Sequence, residues 1–195
     1  MFQLLCSYML STKKRYYLYL KDYYKFDLNL IKIKNKFSVI YDGNIKKSEI
    51  KTLKTIRKKC KKKKILFYIA NNQKIANLCN ADGLYISSYN KSYPLNTGHF
   101  DIIGSAHNYK EIFEKKKQGC KKIVFSRLFK TDYENKKSFL GISKFNLTFN
   151  ISGFEMIPLG GIRLKNLNKL KLVRSDSFVL MSEVKKKPAI ISRLF

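Results

Sequence analysis

The chain has 195 residues, 45% of them hydrophobic, and its 41 basic and 13 acidic residues give a formal net charge of +28. That length supports one domain with a full core, and that apolar content excludes a disordered chain. No apolar run approaches the roughly 20 residues that span a bilayer, and the basic residues are overwhelmingly lysine, whereas base readout favours the arginine fork; neither a membrane nor a nucleic-acid partner is expected.

Residues 1–13 read as a ragged tail, with Met9 as an alternative start to Met1, and residues 14–195 read as a single domain. In the tail the basic cluster Lys13-Lys14-Arg15 follows the apolar part, the reverse of a signal peptide. Cys6, Cys60, Cys79 and Cys120 stand far apart with no matching histidine spacing. Scattered free thiols suit a reducing, cytoplasmic setting and argue against structural zinc. Short apolar, β-branched or aromatic runs at 16–21, 37–41, 65–70, 83–87, 101–105, 122–126, 155–160 and 177–181 read as strands. They are continuous runs more than clean alternation, as in strands buried on both faces. Among Tyr16, Tyr17, Tyr19, Tyr23 and Tyr24, core packing is the reading for most, with ring stacking on a ligand as the alternative.

Between the strands lie lysine-rich helical stretches: 48–62, with Ile50, Leu53, Ile56 and Cys60 on one face, then 108–118, then 164–173 with Leu164, Leu167, Leu170 and Val173. Their lysine runs, such as Lys61 to Lys64 and Lys115 to Lys117, read as solvated faces. The segment 88–100 holds Pro94 and Gly98, which argue against a long helix there. Strands alternating with helices imply a parallel sheet, and eight in one domain imply a closed, small single-domain (β/α)8 TIM barrel with some reduced helices.

At the seventh unit, Met156 to Ile162 (MIPLGGI) ends an apolar run in two glycines before the basic stretch from Arg163 to Arg174. Bare backbone at the mouth of a helix can hold a phosphate, while the plain alternative is a tight turn. His107 stands two residues past a strand, either for proton transfer or as a helix cap, and His99 reads as a loop residue. Arg127 and Lys130 flank the sixth loop, where a cation pair could clamp a phosphate or face solvent.

Several segments, in order over about residues 65–187, resemble the thiamin phosphate synthase/TenI family of (β/α)8 barrels. Asn71-Asn72 is similar to its Asn-Asp, Ala81 to Ile86 (ADGLYI) to its Ala-Asp-Gly-Val-His-Leu, and Ser105-Ala106-His107 to its Ser-Thr-His. Gly119 to Thr131 resembles its run ending in Phe-x-Thr, Leu159 to Ile162 its Ile-Gly-Gly-Ile, and Val179 to Ser182 its last strand ending in Val-Ser. The resemblance implies thiamin biosynthesis: joining a pyrimidine diphosphate to a thiazole phosphate with magnesium, or tautomerising a thiazole carboxylate phosphate. It implies Ser105, His107 and Arg127 as catalytic candidates and Asn71, Thr131, Gly160, Gly161 and Ser182 as phosphate or substrate contacts.

The departures bear on one half of that site. The family's Arg-x-Lys diphosphate grip after the second strand is here Tyr41-Asp42-Gly43-Asn44, with Lys46-Lys47 a few residues late. Asn72 and Asn90 stand where the family has magnesium-binding carboxylates, so no metal ligand is assigned, and Mg2+ enters only if the synthase reaction is retained. Asp42 and Asp82 are the acidic groups left to consider. The tautomerase histidine aligns with Arg127, which cannot act as a base at neutral pH. The expectation is a transferase-type enzyme taking a small phosphorylated substrate; the alternative is a catalytically degenerate barrel that serves as a phosphate-ligand binding or partner module.

Overall fold

A computed structural model describes residues 15–22, 27–31, 36–93, 98–131 and 138–181. Eight strands form a closed parallel barrel in sequence order: β1 (Arg15–Leu20), β2 (Phe37–Tyr41), β3 (Leu66–Ala70), β4 (Gly83–Ile86), β5 (Asp101–Ala106), β6 (Lys122–Ser126), β7 (Glu155–Leu159) and β8 (Ser177–Leu180). β8 closes the ring by pairing with β1, Arg15 opposite Ser177.

Alternation along each strand sorts the core into two shells. Tyr17 and Tyr19 of β1 point inward with Ile40, Tyr68, Tyr85, Ile103, Val124, Ile157 and Val179. Tyr16, Leu18 and Leu20 point outward and pack with Phe37, Leu53, Phe67, Ile112 and Phe145 beneath the helices. Both shells are apolar, which is why the strands read as unbroken hydrophobic runs. The interior is rich in tyrosine: Tyr17 lies edge-on to Tyr68 at 5.9 Å and Tyr19 edge-on to Tyr85 at 5.5 Å. At the N-terminal end of the barrel, Tyr68 donates to Asp101 at 2.8 Å, and Lys122 reaches Asp101 and Glu155 at 3.6 and 3.9 Å.

Among the described residues four α-helices cover the sheet: α1 (Ile50–Lys62), α2 (Gln73–Leu78), α3 (Tyr109–Lys117) and α4 (Gly141–Ser152). The expected helix at 48–62 begins as a 3-10 turn, Lys47–Glu49, and α3 fills 108–118 with Asn108 as its N-cap. The helix expected at 164–173 is instead a 3-10 helix, Leu164–Leu172. Its buried Leu167, Leu170 and Val173 recur every third residue, the period of a 3-10 helix and shorter than the 3.6 of an α-helix.

Candidate active site

Gly160 and Gly161 follow β7 with φ of 103° and 67°, a conformation that L side chains rarely adopt. A Cβ on Gly161 would meet the Lys130 and Phe129 carbonyl oxygens at 2.5 and 2.6 Å, so bare backbone lets the β6 loop close onto the β7 turn. That contact is sealed by Phe129 N–H donating to the Gly160 carbonyl at 3.0 Å and Leu128 N–H to Leu159 at 2.9 Å. Asn166 then donates its side-chain amide to the Gly161 carbonyl at 2.7 Å. Gly161 is buried and Ile162 is 5% exposed, yet among the described residues neither backbone N–H has an acceptor. Buried N–H groups are seldom left unmatched, and a pair of them at a turn is a ready seat for an anion.

The turn opens into a cavity of about 1420 Å³ at the C-terminal mouth of the barrel. Arg127, Thr131 and Lys144 line the same side, with Arg127 Nη1 donating to Thr131 Oγ1 at 3.3 Å. Lys130 is exposed and contributes its carbonyl, not its charge. The cation that joins Arg127 is Lys144, carried on α4.

Ser105 and His107, at the end of β5, also line the cavity. Ser105 is 7% exposed and lines the cavity beside Tyr85. His107 stays half exposed, with Nδ1 3.0 Å from Glu111 Oε2, the same oxygen that accepts from the His107 backbone N–H at 2.8 Å. Asn108 caps α3 by accepting from Glu111 N–H, so His107 precedes the cap and is not the cap. Partial burial works against the Glu111 carboxylate, but its hydrogen bonds to His107 and Asn108 outweigh that and hold it below the usual range.

The rest of the mouth has a different character. Tyr19, Lys21, Asp42, Tyr85 and Tyr89 line it from β1, β2 and β4, and the Tyr19 hydroxyl donates to Asp42 Oδ2. Burial, then neighbouring Tyr85, then the bond to Asp42 push the Tyr19 phenol well above its ordinary pKa, so it remains a donor. Burial raises Tyr85 as well. Lys46 is exposed and lies off the cavity wall, and the Lys47 side chain falls outside the described part.

Asn71 ends β3 at the same face but does not line the cavity. Its amide donates to Ser87 Oγ at 2.7 Å and Tyr89 Oη at 3.0 Å, and its oxygen accepts from Ser87 N–H at 2.9 Å, so it orders the β4 loop. Beneath that loop Lys115 is fully buried and donates to the carbonyls of Ser87 and Asn90 and to Gln118 Oε1, at 2.7–2.8 Å.

The donors around this loop do not fit magnesium. Asn72 Oδ1 caps α2 by accepting from Ile75 N–H, and Asn90 Oδ1 accepts from Ser92 N–H. Asp82 precedes β4, at the opposite end of the barrel, where it holds Arg57 at 2.6 Å and Phe67 N–H at 2.8 Å. Among the described residues no group of three or more His, Cys, Asp or Glu could hold a metal ion.

Of the residues expected from sequence, the cavity gathers Ser105, His107, Arg127, Thr131, Gly160 and Gly161; Asn71 supports it from behind, and Ser182 lies outside the described residues, as do Tyr23 and Tyr24. Tyr19 carries the ring-stacking alternative given above, while Tyr85 and Lys144 have no such signal in the sequence, although the inward phase of β1 and β4 brings both tyrosines to the mouth.

Eight parallel strands closed into a barrel, with a glycine turn after β7 opening on a cavity at the C-terminal mouth, define a (β/α)8 barrel. The family model described as thiamine monophosphate synthase (TMP-TENI) matches residues 17–184, and the chain belongs to that family. It is 36% identical over 135 residues to a thiamine-phosphate synthase of Prochlorococcus marinus, strain SARG, a match covering 65% of this chain and 37% of the relative. A second such synthase, from strain AS9601, is 29% identical over 66% of this chain and 38% of its own length. The match thus spans little more than a third of these curated relatives. Among solved structures, a thiamine phosphate pyrophosphorylase from Pyrococcus furiosus superposes with a TM-score of 0.73 at 16% identity, covering 93% of this chain and 94% of that one. A 3-keto-L-gulonate-6-phosphate decarboxylase from Vibrio cholerae shares the fold with a TM-score of 0.61 at 12% identity, covering 93% and 96%.

Proposed function

We propose that this chain binds a thiazole phosphate of thiamin biosynthesis at the barrel mouth, as a transferase-type member of its family. One observation carries this reading: the acceptorless N–H groups of Gly161 and Ile162 lie in the same wall as Arg127 and Lys144. Backbone donors and guanidinium together suit a phosphate monoester, since charge-assisted hydrogen bonds are the strong ones. The ring would then extend toward Ser105 and His107, where Glu111 steadies the imidazole. With Nδ1–H given to Glu111, Nε2 is left to accept a proton from the ligand or its water.

A second reading, a barrel that binds the thiazole phosphate without coupling it, is favoured by the β2 terminus. A side chain at Gly43 would begin 2.1 Å from the Tyr41 hydroxyl and 2.8 Å from the Lys21 carbonyl, so this turn has no space for a diphosphate-gripping cation. Calorimetric titration with thiazole phosphate separates these ideas from a chain with no such site. One saturable site, weakened in Arg127→Ala, is the expected result; absence of binding refutes both. Formation of thiamin phosphate on adding the pyrimidine diphosphate and magnesium then decides between coupling and binding alone.

A further inference from the structure

We propose that the N-terminal end of the barrel, opposite the mouth, carries an anion site that takes a compact, multiply charged oxyanion of the inorganic di- or triphosphate class. It does not depend on the phosphate reading of the β7 turn.

A cavity of about 380 Å³ lies between α1 and the first residues of β1, β2 and β3, and it shares no lining residue with the mouth. Four cations line it: Arg15 where β1 begins, Arg57 and Lys61 one turn apart on α1, and Lys64 in the turn from α1 to β3. Lys64 has φ 56°, just past the cap of α1, where helices commonly carry glycine. Its N–H donates to the Lys61 carbonyl at 3.0 Å, so the turn keeps the two lysines together. A run that reads as a solvated face in the sequence thus also rims a cavity.

The charge gathered there is not compensated. Asp82, the carboxylate among the described lining residues, is already committed: Oδ1 accepts from Arg57 Nη2 at 2.6 Å and Oδ2 from Phe67 N–H at 2.8 Å. Arg15, Lys61 and Lys64 have no carboxylate partner among the described residues. Like charges around one cavity repel, and an anion between them turns that repulsion into attraction, the more so the more charge it carries. A second observation points the same way. Ser38 also lines the cavity, is 0% exposed, and its hydroxyl has no hydrogen-bond partner among the described residues. Buried hydroxyls are nearly always paired, so one left open beside uncompensated cations is a donor available to a ligand oxygen.

The test is calorimetric titration of inorganic triphosphate into the full chain without metal, in about 0.15 M salt to screen diffuse attraction to surface lysines. One saturable site is expected, and inorganic phosphate should bind it at least about tenfold more weakly, because it makes fewer charge-assisted contacts. Lys61→Gln combined with Lys64→Gln should weaken triphosphate by about tenfold, the sum of two exposed charge contacts. Lys51→Gln combined with Lys58→Gln is the control, since both lysines are exposed on α1 and lie outside the cavity. That pair lowers the net charge equally, and affinity should hold within about twofold. Arg127→Ala, at the mouth, should leave triphosphate binding unchanged. Ser38→Ala removes a hydroxyl that nothing satisfies, so its melting temperature should not fall while triphosphate binds several-fold more weakly. The inference is overturned by equal losses in the two lysine pairs, by a loss confined to Arg127→Ala, or by unweakened binding in Ser38→Ala. Equal affinity for phosphate and triphosphate, or no saturable site, overturns it as well.

Discussion

Gly161→Ala is the smallest change that reaches the phosphate seat. At φ 67° an alanine costs about 1–2 kcal/mol in the left-handed region. Its Cβ would also sit 2.5 and 2.6 Å from the Lys130 and Phe129 carbonyl oxygens, and forcing an atom into such a contact costs about 1–3 kcal/mol more. A side chain at this position is directed against the β6 loop. The damage therefore reaches the ligand by displacing the loop that carries Arg127 and Thr131. Gly153→Ala is the control, because Gly153 has φ 68° and nothing within 4 Å of a Cβ, so it carries the backbone cost alone. In a chain of this size each kcal/mol moves the melting temperature by about 2–4 °C, so Gly161→Ala should melt about 10 °C below the parent and Gly153→Ala about 5 °C below. Thiazole phosphate at a hundredfold excess over its Kd adds about 2.7 kcal/mol to the parent. Differential scanning fluorimetry should show that gain intact in Gly153→Ala and largely lost in Gly161→Ala. Equal melting losses with equal ligand gains in the two variants would refute the close-approach argument.

Two further outcomes follow from groups around the mouth. Glu111 is held below its ordinary pKa in the folded state, so its stabilisation is present above the unfolded carboxylate pKa and fades as pH falls through the folded value; Glu111→Gln should lose about 1 kcal/mol at neutral pH, with urea midpoints converging with the parent's in acid, and a gap that widens in acid contradicts this. Lys115→Met leaves the Ser87 and Asn90 carbonyls and Gln118 Oε1 without their shared donor, which should cost about 1–3 kcal/mol and speed amide hydrogen exchange in residues 87–90; unchanged exchange there would deny Lys115 its part in holding the loop.

The barrel was legible because its strands are buried on both faces and so read as eight apolar runs, β2 and β6 with their observed ends. α4 was not legible: Phe145, Leu147, Phe149 and Ile151 alternate as in a strand, and the helix emerges from packing that buries Phe145 and Thr148, three residues apart, and leaves Leu147 and Ile151 exposed. α2 has six residues, too short to show a period, and only its Asn72 cap marks it. The 3-10 helix after β7 was visible in the three-residue spacing of Leu164, Leu167, Leu170 and Val173, a period taken for an α-helix. In the site, the glycines and His107 carry their signal locally, next to strand ends. Asp42 with Tyr19, and Lys144 with Arg127, are pairs that only the folded chain brings together, 23 residues apart in the first case.

The central claim is that the backbone N–H groups of Gly161 and Ile162 hold the ligand's phosphate. Titrating thiazole phosphate into isotopically labelled protein while following amide resonances tests it directly. The account predicts that the Gly161 and Ile162 amides shift most, with Arg127 and Thr131 following. Shifts that leave these amides unmoved and gather on the lysines of α1 or at the opposite end of the barrel would contradict it.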